Sequence, residues 1–313
     1  MPALATVGGA AGAAGSARRR RPLSRRRHAW VFLAPSAVIL AVFVFVPLVS
    51  SFVLSGLAID VFMNDVSFAG LDNFRRLVGD QRVWGATLNT LYFAALAVPA
   101  QMVLALAMAS MVSRNNRWCR LLRSVYYIPF VCSMTAISIV WSILLDPNMG
   151  ALSYLTRQLG LGAIGFLKDP ALAMPTVVAI TTWKGFGYIV TLLSAAILNV
   201  PASLDEAAQL DGAGPIRRFV QITVPVIWPT IVFCVVTTTI VSLQVFDQVY
   251  IMTKGGPHGS TETLVAYIYN RGFQTAPYDL GYASSIAVYL FAIIAVITFV
   301  LRRFVLRRGE DEV

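Results

Sequence analysis

The chain has 313 residues and a formal net charge of +10. Hydrophobic residues make up 57% and charged residues 13%, against about 45–50% and 25% in soluble domains, which excludes a pair of ordinary soluble domains. Three isolated cysteines and two histidines exclude a disulfide frame, a cysteine-based metal site and a histidine-centred active site.

In chain order, residues 1–28 are mostly Gly, Ala and Arg and read as a basic tail without fixed structure, able to touch anionic headgroups. "RRRRPLSRRRHAW" before an apolar run resembles a signal peptide. The run is too long for one and lacks a clear A-x-A site, so a retained signal anchor is expected. Six stretches reach the roughly 20 apolar residues that cross a bilayer: Ala29–Gly56, Gly85–Val112, Val125–Leu145, Ala173–Leu198, Val224–Tyr250 and Gly281–Arg303. The expected fold is an all-α integral membrane protein with one six-span domain over 29–305 and a short tail over 306–313.

Orientation follows from the cations. The N-terminal tail, the 113–124 loop, the 199–223 loop and the C-terminal tail together hold seventeen Arg, and the opposite loops hold seven Lys or Arg. Both termini and the 199–223 loop are therefore expected in the cytoplasm. The positive charge is mostly this asymmetry, so no nucleic-acid partner is expected.

The 199–223 loop breaks the basic pattern. "DEAAQLDGAGP" holds Asp205, Glu206 and Asp211 ahead of Arg217 and Arg218. Ser203 and Glu206 have capping-box spacing, and Asp205 and Glu206 suit the positive end of a helix. Gly212 suits the left-handed position that ends a helix, and Pro215 suits the first turn of the next. The first helix is about two turns long, too short to stand alone. Leu204, Ala207 and Ala208 share one face and Asp205, Glu206 and Gln209 point away. That face either rests on the bundle or inserts into a cytoplasmic partner.

The longer stretch "EAAQLDGAGPIRRFVQITVPVIWP" resembles the EAA motif of ABC importer permeases, in Glu206-Ala207-Ala208, Asp211-Gly212-Ala213, Phe219, Pro225 and Pro229. "FAGLDNFRRL", "YYIPFVCSM", "FDQVYIMTKGGPHGSTETLVAYIYNRGF" and "LGYASSIAVYLF" are similar to other parts of the binding-protein-dependent, carbohydrate-uptake branch (maltose-type and glycerol-phosphate-type). The likeness spans roughly 30–305. It implies a type I permease fold in the bacterial inner membrane, with the EAA segment as a coupling helix. Glu206, Ala207, Ala208, Asp211, Gly212 and Ala213 would then dock on a cytoplasmic ATPase. The implied partners are an ATPase dimer, a second related permease, an extracytoplasmic binding protein and a sugar.

A P-loop needs G-x-x-x-x-G-K-[ST], and none of the three lysines is followed by Ser or Thr. ATP and Mg are thus expected on the partner, with no cofactor, metal or catalytic residue in this chain. The external acids Asp60, Asp65, Asp72, Asp80, Asp146, Asp169, Glu262 and Asp279 are expected on a solvated surface, some facing the binding protein. Polar groups at membrane depth face cavities or partners, and sugars need hydrogen bonds and aromatic faces. The expected substrate path is Ser138 and Trp141 in the third span, Trp183, Lys184, Gly185 and Tyr188 in the fourth, and Thr238, Ser242, Gln244 and Asp247 in the fifth. Lys184 either pairs with Asp247 or meets an anionic substrate. Pro225 and Pro229 are expected to set the angle between coupling loop and fifth span.

Two other functions fit the pattern less closely: the same machinery importing a polyol phosphate, and a membrane scaffold or signalling subunit. An ion-driven transporter usually needs several buried acids, and Asp247 is the one acid inside the predicted spans.

Overall fold

The structure is a computed structural model that describes residues 23–62, 66–113 and 116–310, with side chains from 32 to 303. Most of the predicted 1–28 tail and the loop residues Asp65, Arg114 and Asn115 lie outside the described residues. The chain forms two compact units, residues 1–50 and 51–313.

The first unit carries the start of the first span. Helix Leu23–Leu40 widens into a π-helical turn over Ala41–Phe45, then resumes as Val46–Ser55. Pro47 follows the wide turn. A proline offers no N–H and its ring presses on the preceding turn, which a local π-turn relieves. No described side chain from Phe32 to Ser50 is buried, a surface suited to lipid.

The second unit holds the other spans: Gln81–Val112, Pro170–Leu198, Trp228–Met252, Leu280–Arg303 and a bent pair, Arg117–Val131 with Met134–Leu144. With the pair taken as one span the described residues contain six, as the sequence predicts. The third span departs from expectation: Val125–Leu145 is not continuous but turns by 90° at Cys132–Ser133. Pro129 removes one backbone bond just before the break, and Cys132 and Ser133 both take extended ψ values, 146° and 135°. The fifth span also differs. Its helix Trp228–Leu243 stops at Gln244–Phe246 and restarts as Asp247–Met252. Pro229 lies in the first turn, where its missing N–H costs nothing, and the helix is interrupted at Ile227, between Val224–Val226 and Trp228–Leu243. The last helix continues to Glu310, beyond the predicted Arg303. Leu57–Ala58 and Ser67–Phe68 add a two-stranded antiparallel ribbon.

The fourth span lies at the centre. It packs on the second, where Ala97, Ala105 and Ala109 are fully buried. Small side chains let membrane helices approach closely, and dispersion contacts then replace the hydrophobic drive available in water.

One end of this unit is tied by charge. Asp80 precedes the second span and accepts from the Arg82 N–H (2.9 Å), the Tyr267 hydroxyl (2.6 Å) and the Tyr282 hydroxyl (2.7 Å). Glu262 pairs with Arg82 at 2.8 Å and Asp279 with Arg76 at 2.6 Å. Asp72 pairs with Arg75, Asp146 lies 3.9 Å from Lys168, and Asp169 caps the fourth span. Several acids expected on a solvated external surface are thus also engaged within the chain.

Burial pushes the Asp80 carboxyl up, but both phenols, the Arg82 N–H and Arg271 outweigh it and hold the group below its ordinary value of 3.8. A depressed folded value stabilises the fold above the ordinary value and loses that effect as pH falls through the folded value. Asp80→Asn should therefore lower the thermal midpoint at neutral pH, by an amount worth about 1 kcal/mol. The gap to wild type should narrow below pH 4, as the ordinary value of 3.8 implies. Equal midpoints at neutral pH would show that the cluster does not hold this end together.

Candidate functional site

The loop between the fourth and fifth spans is two short helices, Ala202–Leu210 and Pro215–Arg218, followed by a π-helical segment over Phe219–Thr223. The turn between them is built as the sequence predicts. Gly212 has φ +74°. The Ala213 N–H reaches the Ala208 carbonyl at 2.9 Å and the Gly212 N–H reaches that of Gln209 at 3.0 Å, the bond pair of a Schellman cap. Pro215 occupies the start of the second helix.

The other end is built differently. The helix begins at Ala202 after Pro201, with no side-chain cap, so Ser203 lies inside the helix and the capping box with Glu206 does not form. The first turn is anchored by charge instead: Asp205 accepts from Gln209 at 2.9 Å and from Arg218 at 2.7 Å. Asp205 is therefore the acid that faces inward. Glu206 is exposed, and no hydrogen bond or ion pair engages it among the described residues. No residue of the 202–210 helix is buried. Leu210 is 90% exposed and Ile216 80%, and Ala207, Asp211 and Gly212 are exposed while Ala208 and Ala213 are half-buried. The loop does not rest its apolar face on its own bundle. It presents leucine, isoleucine, alanine and two carboxylates, Glu206 and Asp211, that are unpaired among the described residues.

Halfway across the bundle is a cavity of about 530 Å³. It collects seven of the ten predicted path residues: Lys184, Gly185, Tyr188, Thr238, Ser242, Gln244 and Asp247. The other three lie elsewhere. Ser138 is fully buried with its hydroxyl unpartnered among the described residues. Trp141 and Trp183 meet edge to face, their centroids 5.8 Å apart, away from the cavity lining. The helix period explains this for the fourth span: Lys184 and Tyr188 share a face four residues apart, and Trp183 is turned about 100° from it.

Lys184 does not pair with Asp247 among the described residues. Its Nζ donates to the Phe130 carbonyl at 3.1 Å and lies 5.3 Å from the centre of the Phe130 ring. That carbonyl stands two residues before the break in the third span, where helix carbonyls lose their partners and a cation is favoured. Residues outside the predicted set also line the cavity, among them Gln101, Phe130, Thr181 and Gln248. Gln248 reaches the Thr181 hydroxyl at 3.3 Å. Gln101 carried a readable signal, since it is an amide midway along the second span, whereas Asn89 lies near one end of it. Phe130 carried none, because its place depends on the 90° break.

Gly185 and Gly187 act differently. A Cβ on Gly185 would meet the side-chain amide of Gln101, whereas one on Gly187 would meet the backbone carbonyl of Tyr126. Gly187 is what allows third and fourth spans to touch backbone to backbone.

Known proteins resemble this chain in sequence and in fold. A family model described as "Binding-protein-dependent transport system inner membrane component" matches residues 101–309. The lactose transport system permease protein LacF of Rhizobium radiobacter is 34% identical over 87% of this chain and 92% of its own length. The sn-glycerol-3-phosphate transport system permease protein UgpA of Agrobacterium fabrum is 32% identical over 89% of this chain and 94% of its own. In fold, the chain resembles a permease of a bacterial alginate ABC transporter, crystallised with an alginate pentasaccharide-bound periplasmic protein. The TM-score is 0.78 at 23% identity, covering 92% of this chain and 96% of that one. The chain, with its broken third span, central cavity and exposed loop carrying Glu206-Ala207-Ala208, belongs to the family of binding-protein-dependent ABC importer permeases of the inner membrane.

Proposed function

We propose that this permease forms half of the path for a sugar and is driven through its 202–210 helix by a cytoplasmic ATPase. One observation carries the reading. The fifth span starts from the coupling loop and contributes Thr238, Ser242, Gln244 and Asp247 to the cavity, so a push on the loop is a push on the lining. Exposed Leu210, Ile216 and Glu206 suit insertion into a cleft with a basic group. Closure of the ATPase dimer on ATP would move the loop and switch the cavity from inward-open to outward-open. Such coupling requires an element with two arrangements that both sites bias. A second permease would supply the facing wall, and a binding protein would deliver the sugar from outside. ATP and Mg belong to the ATPase.

The cavity suits a sugar through its neutral hydroxyl and amide groups beside Tyr188 and the Phe130 ring. A polyol phosphate is the second reading, favoured by the cation of Lys184 in the lining. Orientation is the first test. Reporter fusions at Gly150 and Gly259 should read as external, and fusions at Asn115 and Gly212 as cytoplasmic. An external reading at Gly212 would leave the loop without an ATPase to meet and would end the proposal.

A further inference from the structure

A second cavity, of about 350 Å³, lies beside the central one and is lined by Arg123, Ser124, Tyr127, Tyr188, Thr191 and Leu192. Tyr188 lines both cavities, and no other residue does. Its ring stacks on Phe130 with centroids 4.8 Å apart and planes 16° from parallel, and Phe130 in turn meets Tyr127 at 5.4 Å. Phe130 is held from the other side by Lys184 through its carbonyl.

We propose that the Phe130–Tyr188 stack is the gate between the substrate cavity and its exit toward the side of Arg123, with Lys184 as the latch on Phe130. The stack is suited to this in three ways. Its two rings come from different spans, so a relative shift of the third against the fourth opens it. The third span breaks immediately after Phe130, between Val131 and Met134, so Phe130 rides on a helix end rather than mid-helix. Stacked rings contribute only about 0.5–1.5 kcal/mol beyond the area they cover, small enough to be broken and remade in each cycle. Behind the gate the polar groups of the vestibule include Arg123, Ser124 and Thr191 in place of the threonines and amides of the central cavity. The proposal rests on the transport reading above, but its test does not depend on which molecule is carried.

The test uses the complete transporter in inside-out vesicles, with Cys119, Cys132 and Cys234 replaced by Ala. Single reporter cysteines are placed in the central cavity (Thr238→Cys) or in the vestibule (Thr191→Cys). A membrane-impermeant maleimide is added with and without non-hydrolysable ATP analogue. In one nucleotide condition Thr191→Cys should react while Thr238→Cys is protected. Adding Tyr188→Ala should abolish that protection, and adding Tyr188→Phe, which keeps the ring, should preserve it. Phe130→Ala is the companion variant if Tyr188→Ala fails to accumulate. Protection that survives the alanine variants, or no condition in which the two reporters differ, overturns the gate. Neither result touches the import reading, which is judged by uptake alone.

Discussion

Gly187→Ala should remove most of the folded protein from the membrane. The added methyl meets the Tyr126 backbone carbonyl, which cannot yield without moving the third span. Overpacking of ordinary cores costs about 1–3 kcal/mol, and here the neighbour is main chain rather than a side chain that can turn. Gly185→Ala, two residues earlier, should accumulate normally. Its methyl meets only the end of the Gln101 side chain, which can swing into the cavity. That swing takes space from the 530 Å³ cavity, so uptake should fall while the thermal midpoint holds. Membrane levels and midpoints of both variants in detergent check this. A Gly187→Ala protein that accumulates and melts like wild type would mean the two spans are not in backbone contact.

Glu206→Lys and Leu210→Asp should do the opposite: leave the chain inserted and abolish transport. No residue of the 202–210 helix is buried, and changes on such surfaces usually shift stability by less than about 0.5 kcal/mol. Burying a leucine is worth about 1.5–3 kcal/mol and breaking a buried charge pair costs about 2 kcal/mol or more, and about 2 kcal/mol is roughly thirtyfold in affinity. Co-purification of the ATPase and substrate uptake should both fall in each variant. If both persist in Glu206→Lys, that carboxylate plays no part in docking.

The elements written by local chemistry could be read from the chain alone. Apolar length located the six spans of the described residues, the bent pair taken as one, and Gly212 and Pro215 located the turn of the 199–223 loop, because a left-handed position and a missing N–H are properties of single residues. What depends on distant partners could not be read. Ser203 and Glu206 have the spacing of a cap, yet the helix starts one residue before Ser203 and draws its anchor from Arg218, thirteen positions beyond Asp205. The break at Cys132–Ser133 is invisible in hydropathy, since both halves stay apolar. It moves Phe130 to the cavity and engages the Lys184 ammonium that could otherwise have met Asp247. The path residues divide for a different reason, one that spacing along the chain does carry. Helix phase separates Trp183 from Lys184, and a list drawn by membrane depth ignores phase.

On the proposed function, ATP hydrolysis outside this chain drives a sugar through it. The direct measurement is uptake of radiolabelled sugars into proteoliposomes holding the complete transporter with its binding protein, with ATP sealed inside, compared with vesicles lacking either component. A sugar should accumulate only when internal ATP and the binding protein are both present, and none should accumulate with Leu210→Asp. Accumulation without ATP, driven by a proton or sodium gradient, would contradict it.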